Sequence, residues 1–280
     1  MISITYRSAP MRRVRLDTLL SERGMFPSRT RAAASVLAGD VLLLPGRRRA
    51  DKPGQMVPDD VEVELRDAPA FASRGGIKLA NALDALAVEV GGRSALDVGA
   101  STGGFTDCLL QRGAAHVVAL DVAYGELDWR LRNDPRVTVI ERRNARSLRP
   151  DELPYAPDLI VIDVSFISLA KVLPAVLACA AARFDCLALV KPQFEVGREA
   201  VGKGGVVRDP AARRGALLDV ARGAVGLGVS VAGFASSGLP GPKGNLETFV
   251  WLTEVGRSTG AVGAAVAVAD LERAVAEVEP

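Results

Sequence analysis

Seven short apolar runs recur between residues 95 and 252, at 95–98, 116–121, 137–141, 159–163, 186–191, 229–236 and 247–252. Stretches with helical character separate them. That alternation is the pattern of an α/β fold built on a parallel sheet. The chain's 280 residues suffice for one such domain plus a small module. Aromatic residues make up only 5% of the chain, so its core must rest on Ala, Val and Leu. The tail from Gly256 ends in an Ala/Val/Glu stretch of helical character without evident chemistry.

Net charge is +2, but it is unevenly spread: up to residue 49, ten arginines stand against three acids. A basic module on a neutral body suggests a face that meets a polyanion; an evenly solvated surface is the plain alternative. Cys108, Cys179 and Cys186 show no metal-ligand spacing, and an odd number argues against a disulfide framework. His116 is the only histidine and has no Cys or His cluster near it in sequence, so it reads as structural, and neither a metal site nor a histidine-dependent triad is expected. No secretion signal is visible at the start. The uncharged stretch 172–182 is too short to span a bilayer, and 223–242 is broken by glycines and prolines.

The first apolar run of the α/β region ends in Asp97-Val-Gly-Ala-Ser-Thr-Gly-Gly-Phe105. Glycines at such a turn permit close approach of a ligand, and the helix that follows offers free amide donors. Asp121 ends the next run, where an acid can hold the hydroxyls of an adenosine ribose. A dinucleotide fingerprint would carry glycine where Ser101 stands, and Asp97 would repel a pyrophosphate. The loop therefore favours S-adenosylmethionine, whose ammonium suits an acid, over NAD. The expected cofactor set is Asp97, Gly99, Ala100, Ser101, Gly103, Gly104, Phe105, Asp121 and Asn144.

Methylating an alcohol requires alignment with a sulfonium methyl group and an outlet for the hydroxyl proton. With histidine scarce, a lysine whose surroundings favour the neutral amine can serve. Lys191 stands where one run leaves the sheet and Asp163 ends another. Lys78 follows Arg74-Gly-Gly-Ile, and Glu247 follows Pro240-Gly-Pro-Lys-Gly-Asn-Leu. Singly each has a plain reading: a surface lysine, a helix cap, a strand-edge acid.

Upstream, Leu16, Leu19 and Leu20 share one helical face. Ser28 caps a second helix, expected over 29–37, with Gly39 at its end; strands follow at 40–44 and 61–65. This succession resembles the S4 RNA-binding domain in its Arg15-Leu-Asp-x-Leu-Leu opening, Ser28-Arg29, Gly39-Asp-Val and Lys52-Pro-Gly. The stretch Leu43 to Arg49 departs from that pattern. Arg15-Leu-Asp also mimics a pseudouridine-synthase signature, but it stands before any domain of catalytic size.

The Lys78, Asp163, Lys191, Glu247 set resembles the tetrad of the FtsJ-type ribose 2′-O-methyltransferases. With the S4-like module it resembles their TlyA, or haemolysin A, branch. Segments Ser73–Leu79, 97–105, Asp134-Pro-Arg-Val, 163–169, Lys191-Pro-Gln-Phe-Glu-Val-Gly, 202–210 and Gly244-Asn-Leu-Glu carry the likeness from about Arg15 to Leu252. The resemblance implies a Rossmann-like sheet with helices on both faces, preceded by a small α+β module. It implies S-adenosylmethionine as cofactor, and methylation of a cytidine ribose in ribosomal RNA of either subunit, in the cytoplasm, with neither DNA nor membrane as partner. It makes Lys191 the proton acceptor, Asp163 its positioner, and Lys78 and Glu247 the orienters of the ribose.

Arg15, Arg29, Arg31 and Lys52 would meet RNA from the module, and Lys203 and Arg208 from the loop after the Lys191 strand, unless that loop merely orders on packing. The expected organisation is an extension (1–14), an S4-type domain (15–67), a linker (68–74), the methyltransferase domain (75–255) and a tail (256–280). Two other readings remain open. A membrane-active haemolysin lacks support from any signal or spanning segment. A catalytically silent RNA-binding protein would not need the tetrad.

Overall fold

The computed structural model describes residues 12–26, 28–65, 70–257 and 270–279. Most of the expected N-terminal extension, part of the linker and much of the tail lie outside these residues. The chain divides into two compact units, up to Ala70 and from Phe71 onward, each described by itself.

In the first unit, β1 (Arg13–Arg15) runs into α1 (Leu16–Glu22), and α2 (Arg29–Ala38) follows. The Ser28 side chain accepts the Arg31 amide, and Gly39 closes α2 in the left-handed conformation at φ +85°. Leu16, Leu19 and Leu20 of α1 meet Ala32 and Val36 of α2, spaced one turn apart, over Val41, Ala50 and Val57. Strands β2 (Val41–Leu43), β3 (Arg48–Arg49), β4 (Met56–Pro58) and β5 (Val63–Leu65) complete the unit. β2 pairs antiparallel with β3 and β5, and β1 with β4. The β1 strand and the Arg48–Arg49 pairing have no apolar alternation and were not expected from the sequence.

The second unit opens with α3 (Gly75–Leu86). It continues through β6 (Ser94–Val98), α4 (Gly104–Gln111), β7 (His116–Leu120), α5 (Trp129–Arg132), β8 (Val137–Ile140), β9 (Leu159–Ile162), α6 (Leu173–Leu177), β10 (Asp185–Val190), α7 (Pro192–Glu195), α8 (Pro210–Gly226), β11 (Val229–Ser236), β12 (Thr248–Glu254) and α9 (Leu271–Val278). Seven strands form one sheet in the order β11-β12-β10-β9-β6-β7-β8. From β10 to β8 all neighbours are parallel.

β11 and β12 are antiparallel to their neighbours, so the sheet is mostly rather than wholly parallel. Residues 237–247 between them are too few to carry a crossover helix, so the chain turns straight back.

Central strands are buried on both faces. In β9, Leu159 and Val161 enter the core beneath α3 and α4, while Ile160 and Ile162 enter the opposite core beneath α6 and α8. Each such side chain contributes about 1.5–3 kcal/mol by leaving water. The tail helix α9 belongs to that second core: Leu271 and Val275, one turn apart, are fully buried in it, and Glu279 pairs with Arg213. After β8 the chain returns to lay β9 on the other side of β6. Crevices at the carboxyl ends of the strands form at such a reversal. Among the described residues, no helix is long and apolar enough to cross a membrane.

Candidate active site

The loop after β6 is shaped by conflicts that only glycine avoids. Gly99 lies at φ +87°, and a Cβ there would overlap the Asp163 carbonyl oxygen; Gly103, beside the Leu131 and Leu127 side chains, is required by its own backbone at φ +93°. These glycines let the loop pack against its own protein, not only against a ligand as the sequence suggested. Ser101 adopts φ +45°, and its amide donates to Asp121 Oδ2 at 2.8 Å. Asp121, just past β7, also accepts the Ala123 amide on Oδ1 at 2.7 Å, so its carboxylate is fixed before any ligand arrives.

Two cavities flank this loop and share Gly99, Ser101, Asp163, Ser165 and Phe166 as a common wall. One, of about 530 Å³, has Asp121 and Asn144 at its polar edge and Val98, Leu120, Val122, Ala145, Ile167 and Val172 among its apolar lining. An apolar slot with a preset carboxylate is what an adenosine needs, and the volume suits a cofactor of that size. The residues present therefore fit S-adenosylmethionine.

The second cavity, about 560 Å³, gathers Lys78 from α3, Asp163 after β9, Lys191 after β10 and Glu247 before β12. Lys78 Nζ lies 2.5 Å from Glu247 Oε2, and both side chains are at most 10% exposed. Lys191 Nζ lies 2.5 Å from Asp163 Oδ1 and donates to Ser165 Oγ at 2.9 Å. A Cβ at Gly241 would overlap Glu247 Oε1, so glycine at 241 is what admits that carboxylate. Ala100, Ser101, Gly104 and Phe105 also line this cavity, whereas Gly103 lines neither.

Asp97 departs from its expected place. It is fully buried beneath the loop and reaches neither cavity. Its Oδ2 accepts the Thr106 hydroxyl at 2.7 Å, and its Oδ1 has no partner. Burial pushes this carboxyl up to about 7; the Thr106 bond opposes the rise, and the charges of Asp163 and Asp121 add to it. Because the folded value exceeds the unfolded one, ionisation costs stability: nothing below about pH 4, increasingly from there to 7, and fully above. In Asp97→Asn the amide oxygen can still accept from Thr106 but the side chain does not ionise. Relative to wild type, its unfolding free energy should improve by about 3 kcal/mol between pH 5 and pH 8. Thermal melts at the two pH values measure this, and parallel wild-type and variant curves would refute it.

Other groups at the site lie within the segments that carry the family likeness but are not singled out in sequence. Phe166 is 92% exposed, holds φ +65°, and tilts against Phe194 at 5.2 Å. Gln193 Oε1, in the second cavity, is buried without a partner. Asn245 is buried; it accepts the Val207 amide and donates to the Gly205 carbonyl, pinning the loop that carries Lys203 and Arg208. Those two side chains are exposed and line neither cavity, although Val201 and Gly205 of their loop line the second.

In the first unit, Asp17 binds both Arg15 and Arg29, at 2.7 and 3.1 Å, and Arg15 lowers its carboxyl to about 2 with help from Arg29. The Leu16 and Asp17 amides bond to the Gln55 and Pro53 carbonyls. Arg15, Arg29 and the Lys52–Gly54 turn thus share one corner. Lys52 and Arg31 are exposed, and no ion pair to either is recorded among the described residues.

A profile of the FtsJ-like methyltransferases matches residues 71–254. A 16S/23S rRNA (cytidine-2′-O)-methyltransferase TlyA of Mycobacterium tuberculosis is 51% identical over 271 residues, which is 95% of this chain and 98% of the relative. The Hemolysin A of Brachyspira hyodysenteriae is 37% identical over 84% of this chain and 97% of its own length. A solved structure from Streptococcus thermophilus, provisionally described as a hemolysin, matches with TM-score 0.70 at 37% identity, covering 96% of each chain. With its loop, its paired cavities and these relatives taken together, the chain belongs to the FtsJ-like methyltransferase family, in its TlyA branch.

Proposed function

We propose that this protein methylates the 2′-hydroxyl of a cytidine ribose in ribosomal RNA, using S-adenosylmethionine. The observation that carries this reading is that Lys78, Asp163, Lys191 and Glu247, from four separate segments, line one cavity beside the adenosine-sized one. When bound there, the cofactor supplies an electrophilic methyl group. Asp121 and Asn144 hold its adenosine end, and the Gly99–Ser101 loop bounds it. Asp163 and Ser165 fix Lys191 Nζ at the wall common to the two cavities, where the hydroxyl proton must be handled. The Lys78–Glu247 pair presents a cation and a carboxylate to orient the ribose oxygens. The exposed Phe166 ring offers a stacking face at the mouth. Activity in the cytoplasm follows from a ribosomal substrate.

The test is to incubate purified protein with methyl-labelled cofactor and bacterial ribosomal subunits, digest the RNA and separate its nucleosides. Label in 2′-O-methylcytidine supports the reading; label confined to bases, or none in RNA, refutes it.

The first unit is proposed as an S4-type RNA-binding module. Asp17 already offsets the charge of Arg15 and Arg29, so Arg31 and Lys52 are the cleaner handles. Arg31→Ala with Lys52→Ala should weaken RNA binding and reduce its salt slope by about 1–2. Cofactor affinity should stay unchanged. Filter binding across a salt series checks this, and an unaltered slope would remove the module from RNA contact.

A further inference from the structure

We propose that Glu195 is a positioning residue, holding the loop after Asp163 against the segment after Lys191 at the separation that methyl transfer requires. The proposal rests on the methyltransferase reading above.

The two segments are joined in register. Lys191 contacts Asp163 and Ser165, Phe194 meets the Phe166 ring, and Glu195 reaches the far end of the same loop. There Glu195 Oε2 accepts the Ser168 hydroxyl at 2.6 Å, and Oε1 accepts the Leu169 amide at 2.9 Å. Between these anchors stands Phe166, a bulky residue in the left-handed region. Such a conformation costs about 1–3 kcal/mol and persists only where its surroundings over-determine it. Lys191 clamps one side of Phe166 and Glu195 the other. With the outer clamp removed, the loop is free to relax, and Asp163, Ser165 and Phe166 lose their setting together.

Two features separate this carboxylate from a surface acid. No Lys or Arg ion pair to it is recorded among the described residues, and both of its hydrogen-bond partners are neutral. Burial raises its carboxyl, with the Ser168 and Leu169 bonds opposing. Its role is therefore geometric. Glutamine can reproduce it, accepting from the Leu169 amide through its oxygen and donating to Ser168 Oγ through its nitrogen. The Leu169 turn already has a cap in Ser168, whose hydroxyl accepts the Ala170 amide, so capping alone leaves Glu195 unexplained.

The experiment uses the full-length protein and measures methylation kinetics on ribosomal subunits, cofactor affinity by calorimetry, and thermal unfolding. Glu195→Ala should lower kcat about tenfold or more, since small misplacements near a reacting pair carry losses of that order. The loss should fall mainly on kcat: cofactor Kd and the KM for RNA, to which the shared wall and the Phe166 ring contribute, should weaken by no more than about fivefold, and Glu195→Gln should recover at least about half of wild-type kcat. If Glu195→Ala does not fold, Glu195→Asp, one methylene too short to span the gap, carries the same expectation. Undiminished kcat in the alanine or aspartate variant overturns the proposal alone, as does a glutamine variant as impaired as alanine. Wild-type protein that transfers no methyl overturns the functional reading and this proposal with it.

Discussion

Replacing Lys191 with arginine is expected to reduce turnover by about 10³-fold, within the range that positioned proton transfer contributes, while leaving S-adenosylmethionine binding within about twofold of wild type. Arginine keeps a positive charge beside Asp163 but cannot give up a proton in a protein. If Lys191 takes the ribose hydroxyl proton, arginine fails as completely as alanine. Near-full activity in the arginine variant would make Lys191 an electrostatic positioner, with water removing the proton. Single-turnover rates beside calorimetric cofactor affinity separate the two accounts, because the adenosine-sized cavity touches Lys191 only through the wall shared with its neighbour.

The second large effect concerns the Lys78–Glu247 pair. Lys78→Met leaves a 1%-exposed carboxylate without its cation. Removing one partner of a buried pair typically costs about 3–5 kcal/mol, whereas replacing both with neutral groups is often tolerated. Lys78→Met should therefore lose both stability and activity. Lys78→Met with Glu247→Gln should regain most of the stability and none of the activity. Chemical denaturation of the single and double variants reads the first part, and methylation assays the second. A double variant as unstable as the single one would show that the loss comes from packing rather than stranded charge.

Much of the second unit can be read from sequence because β6, β7, β9 and β10 are largely apolar runs followed by chemically distinct residues: Gly99, Asp121, Asp163 and Lys191. What sequence conceals depends on contacts between distant segments. Asp97 reads as a cofactor contact because it precedes the glycine loop, yet the fold turns it inward onto Thr106. The direction of β12 is not legible in its apolar run, which carries no orientation; the short 237–247 connection sets it. Glu195 follows a recognisable Lys-Pro-Gln-Phe stretch, but its partners Ser168 and Leu169 lie on another strand's loop. Phe166 reads as one more apolar residue until the backbone turns its ring outward. In the first unit, Arg15 and Arg29 read as free positive charges, and only the fold brings Asp17 between them.

In the proposed reaction the acceptor atom is a ribose oxygen delivered to the cavity of Lys78, Asp163, Lys191 and Glu247. Once the modified nucleotide has been mapped, the most direct measurement compares two ribosomal RNA substrates identical except for a 2′-deoxy sugar at that nucleotide. Labelled methyl is expected in the ribose substrate and none at that position in the deoxy substrate, with RNA binding retained. Equal labelling of the two would place the acceptor on the base and contradict it.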